Sequence, residues 1–136
     1  MKKIAAIILE NNQGEILLYL RDNKATIPFP HHWDLFGGHI EENETPEEAL
    51  KREVKEELNF DLKEYSFFKA YECTEGDIYP NVKYIYSGKI HIPIEKLTLL
   101  EGERLQLFSP IEIPEVKFAN ILKEIVMDFI KSKTSI

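Results

Sequence analysis

Three observations predict an α/β fold. Two apolar runs near the N-terminus flank a turn-forming tetrad. Helical spacing governs residues 45–58 and again 118–130. Aromatic and β-branched residues dominate the stretches between these helices. The resulting order is strands, helix, strands, helix, without repeats, linkers or low-complexity tracts.

The elements follow in turn. Residues 3–10 and 15–21 are apolar runs joined by Asn11-Asn12-Gln13-Gly14, which predicts a hairpin. A polar loop containing Pro28 and Pro30 comes next, and Trp33 to Phe36 reads as a short strand leading into a Gly37-Gly38 loop. Thr45-Pro46-Glu47-Glu48 is a helix start, with Thr45 as N-cap, Pro46 in the first turn and Glu48 closing a capping box. The helix is expected to reach about Leu58, with Leu50, Val54 and Leu58 as its buried stripe. Tyr65–Cys73 and Lys83–Ile92 are β-rich and flank Thr74-Glu75-Gly76-Asp77, so an antiparallel pair is expected. Leu105–Phe108 is a further strand. Phe118 to Ile130 carries apolar residues at 118, 121, 122, 125, 126, 129 and 130, a helical spacing.

At 136 residues and 15.9 kDa the chain is expected to form one domain over 1–136, large enough to bury a core. Its net charge of −7 argues against binding a nucleic acid polymer, which needs a basic footprint. A small anionic ligand remains compatible if divalent cations supply the positive charge. Cys73 has no second cysteine to pair with, as suits a reducing compartment. The apolar run Ile4 to Leu9 is too short for a signal segment or a membrane span, so the expected location is cytoplasmic, without a membrane partner.

The chemistry concentrates between Gly38 and Phe60. Glu53, Glu56 and Glu57 fall at i, i+3 and i+4, which a helix gathers onto one face, off the apolar stripe and free to face a cleft. Crowded carboxylates repel unless a cation holds them, and hard oxygen ligands suit Mg²⁺ or Mn²⁺ better than zinc. Gly38, Glu44, Arg52-Glu53, Val54, Glu56-Glu57 and Phe60 stand at the spacing G-x5-E-x7-R-E-U-x-E-E-x-G-U, where U is apolar. This pattern resembles the Nudix box, the signature of the Nudix hydrolase family. One position departs, since Asn59 stands where the family has glycine. That position follows a helix end, where Asn is the next-best residue for a left-handed turn, so the departure reads as a tolerated cap.

The resemblance implies an α/β/α sandwich with a mixed β-sheet. It also implies divalent-metal-dependent hydrolysis of a nucleoside diphosphate linked to another group. The expected substrate is a nucleoside triphosphate, cut to monophosphate and pyrophosphate, with oxidised purine nucleotides as one candidate. By the same resemblance Glu56 and Glu57 are metal ligands, with the Gly37 carbonyl facing them. Glu53 is a ligand or the general base, and Arg52 orients a neighbouring carboxylate. Glu44 is either an aid to a second metal or a solvated loop acid. Glu101, preferred over Glu103, is the candidate for a late loop acid, against the reading of a plain turn acid. Asn120 resembles the purine-reading asparagine of the 8-oxo-dGTP-cleaving branch, though an ordinary helix cap is the competing reading. Phe29, Trp33, Tyr79 and Tyr84 are candidates to stack on a base or simply to pack. His31, His32 and His39 read as exposed loop histidines. Hydrolysis of ADP-ribose or of a dinucleoside polyphosphate is less well matched, because Pro80 and Tyr79 fall out of register with those branches. A nucleotide-sensing domain without turnover is the alternative of another class; such domains usually lose box glutamates, all of which are present here. A cap-type RNA hydrolase is disfavoured by the acidic charge. The expected assembly is a monomer or homodimer.

Overall fold

In the computed structural model, which describes residues 1–134, the apolar runs assemble into one mixed sheet between two helices. The order is β1 (Lys2–Glu10), β2 (Ile16–Leu20), β3 (Trp33–Asp34), β4 (Phe36–His39), α1 (Pro46–Leu58), β5 (Tyr65–Cys73), β6 (Asn81–Lys89), β7 (Arg104–Phe108) and α2 (Leu122–Thr134). β1 is the axis. It pairs in parallel with β6 along its whole length, and antiparallel with β4 (Ile4↔His39 to Ile7↔Phe36) and the start of β2 (Leu9↔Leu17). β2 also pairs antiparallel with β3 and β7, and β6 with β5.

The unbroken apolar stretch of β1 follows from burial on both faces. Ala5, Ile7 and Leu9 point to the core beneath α1, with Leu50, Val54 and Leu58. Ala6 and Ile8 point to the core beneath α2, with Leu122, Ile125, Val126 and Phe129. Period-two alternation therefore sorts one strand into two cores. Each fully buried Leu or Ile contributes roughly 1.5–3 kcal/mol. Among the described residues no helix is long and apolar enough to cross a membrane.

Three local expectations need correcting. Gly37 and Gly38 lie inside β4, paired to Ala6 and Ala5, and not in a loop after a strand. The last helix begins at Leu122 instead of Phe118. Phe118 is extended and bridges Trp33, with the Ala119 N–H donating to the Trp33 carbonyl at 2.9 Å, and Asn120 then turns at φ 39°. Phe118 is apolar because that extended segment is itself buried. The strand expected over Lys83–Ile92 runs instead from Asn81 to Lys89, because its register is set by β1.

Candidate functional site

Helix α1 starts and stops as its ends dictate. Thr45 Oγ1 accepts from the Glu48 N–H and Glu48 Oε1 accepts from the Thr45 N–H, a closed capping box. Asn59 takes the left-handed conformation (φ 51°, ψ 39°) with its N–H on the Lys55 carbonyl. This fixes the phase of the helix. Glu57 lies off the apolar stripe of Leu50, Val54 and Leu58, yet it is buried beside Leu58, only 4% exposed.

Glycines bring β4 against this helix. A Cβ on Gly37 would lie 2.1 Å from the Ala5 carbonyl oxygen, and one on Gly38 would lie 2.5 Å from the Glu53 carboxyl carbon. With neither present, the Gly37 N–H reaches Glu57 Oε1 at 2.8 Å. The backbone carbonyl of Glu57 accepts from the Leu100 N–H at 2.8 Å, which pins the loop before β7 to this end of the helix. Glu101 is thereby carried to the same cleft, while Glu103 turns to the Asn23 N–H and His31.

Arg52 organises the outer carboxylates. Its Nε and one terminal nitrogen grip Glu44 at 2.7 and 3.0 Å; the other terminal nitrogen donates to Glu53 at 2.9 Å and to Glu56 at 3.5 Å. A further bond reaches the His39 carbonyl at 3.0 Å. The Arg52 hydrogen bonds hold the Glu44 carboxyl down at about 2, and Glu44 in turn raises the Arg52 guanidinium above its ordinary value. The Glu56 side chain is 58% exposed and Glu53 only 18%.

Burial pushes the Glu57 carboxyl up to about 9; the Gly37 N–H opposes this, and Glu53, Asp34 and Glu101 add to it. Burial also raises Glu53, against Arg52. A buried carboxylate crowded by others is costly unless a cation relieves it, and every donor here is a hard oxygen. The residues therefore fit a hard divalent ion. Among the described residues no three acidic, imidazole or thiol groups already converge for a metal. Arg52 holds Glu53, Glu56 and Glu44, and the Gly37 N–H holds Glu57.

Beside these carboxylates opens a cavity of about 310 Å³. Glu53, Glu57, Gly37, Glu101, Phe29, Tyr79 and Asn120 all line it. Glu44, Arg52 and Glu56 do not. Trp33 lies outside too, edge-on to Phe108 at 4.9 Å and under Arg104, and Tyr84 packs on the α1 side. The Asn120 side chain accepts from the Ile121 N–H at 2.7 Å, ahead of the helix. The three histidines have different partners, with His31 near Glu103, His32 on the Pro30 carbonyl and His39 on the Tyr79 hydroxyl. Sequence reasoning missed two ion pairs in the cavity wall, Arg21–Asp34 at 2.8 Å and Lys83–Asp77 at 2.7 Å. The signal for Lys83 was its place two residues from Ile85, an inward position on the face it shares with Asn81.

The family model of the NUDIX domain matches residues 2–129. The dihydroneopterin triphosphate diphosphatase of Haemophilus influenzae is 28% identical over 134 residues, which covers 93% of this chain and 84% of that protein. The nucleoside triphosphatase NudI of Enterobacter sp. (strain 638) is 40% identical over 57 residues, 42% of this chain and 39% of that protein. A crystal structure of a MutT protein from Methanosarcina mazei Go1 superposes with a TM-score of 0.78 over 98% of this chain and 96% of the other, at 19% identity, a likeness of fold.

Proposed function

This chain belongs to the NUDIX domain family, and from that premise we propose that it cuts a nucleoside triphosphate, or a closely related triphosphate, to monophosphate and pyrophosphate. The observation that carries the reading is Glu57, a buried carboxylate on the Gly37 N–H, opening with Glu53 and Glu101 into one cavity. Glu57 and the Gly37 carbonyl, with Glu56 from just outside the cavity, would hold Mg²⁺ (or Mn²⁺), and Glu53 and Glu101 line the same cleft. Bound there, the ion supplies charge neutralisation at the diphosphate oxygens. Glu53 orients the attacking water and takes its proton; burial raises its pKa against the pull of Arg52, which makes it a stronger base. Arg52 keeps Glu53 in place and Glu44 anchors Arg52. Phe29, Tyr79 and Asn120 face the remainder of the ligand. The reading places this chemistry in one domain over 1–136, acting in the cytoplasm as a monomer or homodimer. Oxidised purine nucleotides stay among the candidates. Dihydroneopterin triphosphate joins them, because the diphosphatase of that name aligns over 93% of this chain.

The test is a turnover screen with Mg²⁺ across nucleoside triphosphates including 8-oxo-dGTP, dihydroneopterin triphosphate, ADP-ribose and a dinucleoside polyphosphate. Pyrophosphate release from a triphosphate, reduced at least ~100-fold in Glu53→Gln with unfolding temperature preserved, is expected. Silence across the panel with nucleotide binding intact would support a sensing domain instead.

A further inference from the structure

The proposed chemistry uses one side of the cavity and leaves the Lys83–Asp77 pair unexplained. Lys83 is 3% exposed and shares a face of the sheet with Ile85. Its ammonium donates to Asp77 Oδ2 at 2.7 Å and to Asn81 Oδ1 at 2.9 Å. Asn81 is fully buried and donates in turn to Asp77 Oδ2 and to the Tyr79 carbonyl. Burial pushes the Asp77 carboxyl up, but the bonds from Lys83 and the Ile78 N–H outweigh this and leave it below its ordinary value. A buried ion pair costs desolvation and is often replaceable by apolar residues without loss, so stability alone does not account for it. It does give the cavity a charged donor and a charged acceptor side by side.

Its position relative to the carboxylates is set by the sheet. Ile4 of β1 is paired on one side with His39 of β4 and on the other with Lys83 of β6. Lys83 is therefore two strand spacings, about 10 Å, from β4, whose Gly37 holds Glu57. The floor between them is the apolar pair Ile4 and Ala6, and Leu122 forms wall as well. A ligand with its diphosphate at Glu53 and Glu57 would lay a flat ring over this floor with its far edge against Lys83 and Asp77.

We propose that the Lys83–Asp77 pair determines specificity by reading a heterocycle with a ring carbonyl beside a ring N–H and an exocyclic amine, the 2-amino-4-oxopyrimidine edge that guanine and pterin rings share. The Lys83 ammonium donates to the carbonyl, and the Asp77 carboxylate accepts from the adjacent N–H groups. An adenine edge places an amino group where the carbonyl should be, donor against donor. A hypoxanthine edge keeps the carbonyl and loses the amine. The proposal rests on the triphosphate-hydrolase reading above and adds the part of the substrate that distinguishes one triphosphate from another.

The experiment compares kcat/KM for GTP, ITP, ATP and dihydroneopterin triphosphate with Mg²⁺ in the wild type, Lys83→Met, Asp77→Asn and the double variant Lys83→Met/Asp77→Leu. The double variant leaves no unpaired buried charge, so it tests the reading even if a single variant folds poorly; thermal unfolding checks each. The wild type is expected to prefer GTP over ATP at least ~30-fold, with ITP between them. In Lys83→Met and the double variant that ratio collapses ~10–100-fold, chiefly through KM for GTP. A purely structural role would lower both substrates together and leave the ratio unmoved, which overturns the proposal, as would a wild-type preference for ATP. If no triphosphate is turned over at all, the hydrolase reading fails separately. Calorimetric binding of GMP against AMP to wild type and the double variant then decides the specificity: loss of a GMP preference supports it, and equal binding by the wild type overturns it.

Discussion

At Gly38 a single missing methyl group decides how close the sheet comes to the catalytic candidates. The ideal Cβ would sit 2.5 Å from the carboxyl carbon of Glu53, the far end of a flexible side chain that can give way. At Gly37 the same atom would meet the Ala5 carbonyl at 2.1 Å, and φ of +145° is a conformation that side chains resist. Neighbouring glycines should therefore fail differently. Gly38→Ala is expected to fold with little loss of unfolding temperature but to lower turnover ~100-fold by displacing Glu53. Gly37→Ala is expected to lose at least ~2 kcal/mol of stability, because backbone cannot yield as a side chain can. Thermal unfolding and pyrophosphate release on the two proteins separate these outcomes. Two variants failing alike would contradict the division of roles.

Helix α1 is the arm that carries four of the site's charged groups, so its ends govern their phase. The capping box at Thr45 and Glu48 closes one end and the left-handed Asn59 closes the other. Asn59→Ala removes a residue that tolerates positive φ and is expected to cost about 1 kcal/mol, whereas Asn59→Gly should be neutral or stabilising. Urea midpoints at constant slope report the difference. A fall in stability for the glycine variant as large as for alanine would show that the Asn59 side chain, and not its backbone conformation, matters.

Across the whole molecule, the buried carboxylate of Glu57 couples stability to pH. Its carboxyl rises from an ordinary 4.5 to about 9 on folding, so between those values the native state binds a proton that the unfolded chain releases. The sign follows: this contribution is fully present below pH ~4.5 and is lost as pH climbs toward ~9. In the presence of a chelator, the protein is expected to lose on the order of 2–4 kcal/mol from this group between pH 5 and 9, and Glu57→Gln should flatten the profile. Unfolding temperatures measured across that range check it. Parallel profiles for the two proteins would place the pH dependence elsewhere among the many acidic groups of a chain with net charge −7.

The sequence by itself determined whatever depends on near neighbours. The box spacing, the capped helix, the left-handed turn at Asn59, the first hairpin and the pairing of β5 with β6 all rest on residues close in the chain. The mixed sandwich came through the family resemblance, since residue order alone does not distinguish the parallel pairing of β1 with β6 from other arrangements. Only the tertiary structure decided which glutamate is buried, because Glu57 owes its environment to Gly37, twenty positions earlier, and to Leu100. It also drew Gly37 and Gly38 into a strand, moved the start of α2 past the extended segment at Phe118, and set Trp33 outside the cavity that Phe29, Tyr79 and Asn120 line. The Lys83–Asp77 pair shows the limit most directly. Periodicity marks Lys83 as inward-facing, but burial of a charge becomes meaningful only once the fold reveals its partner and the empty space beside it. Helix caps are local chemistry, whereas a site is made where distant strands meet.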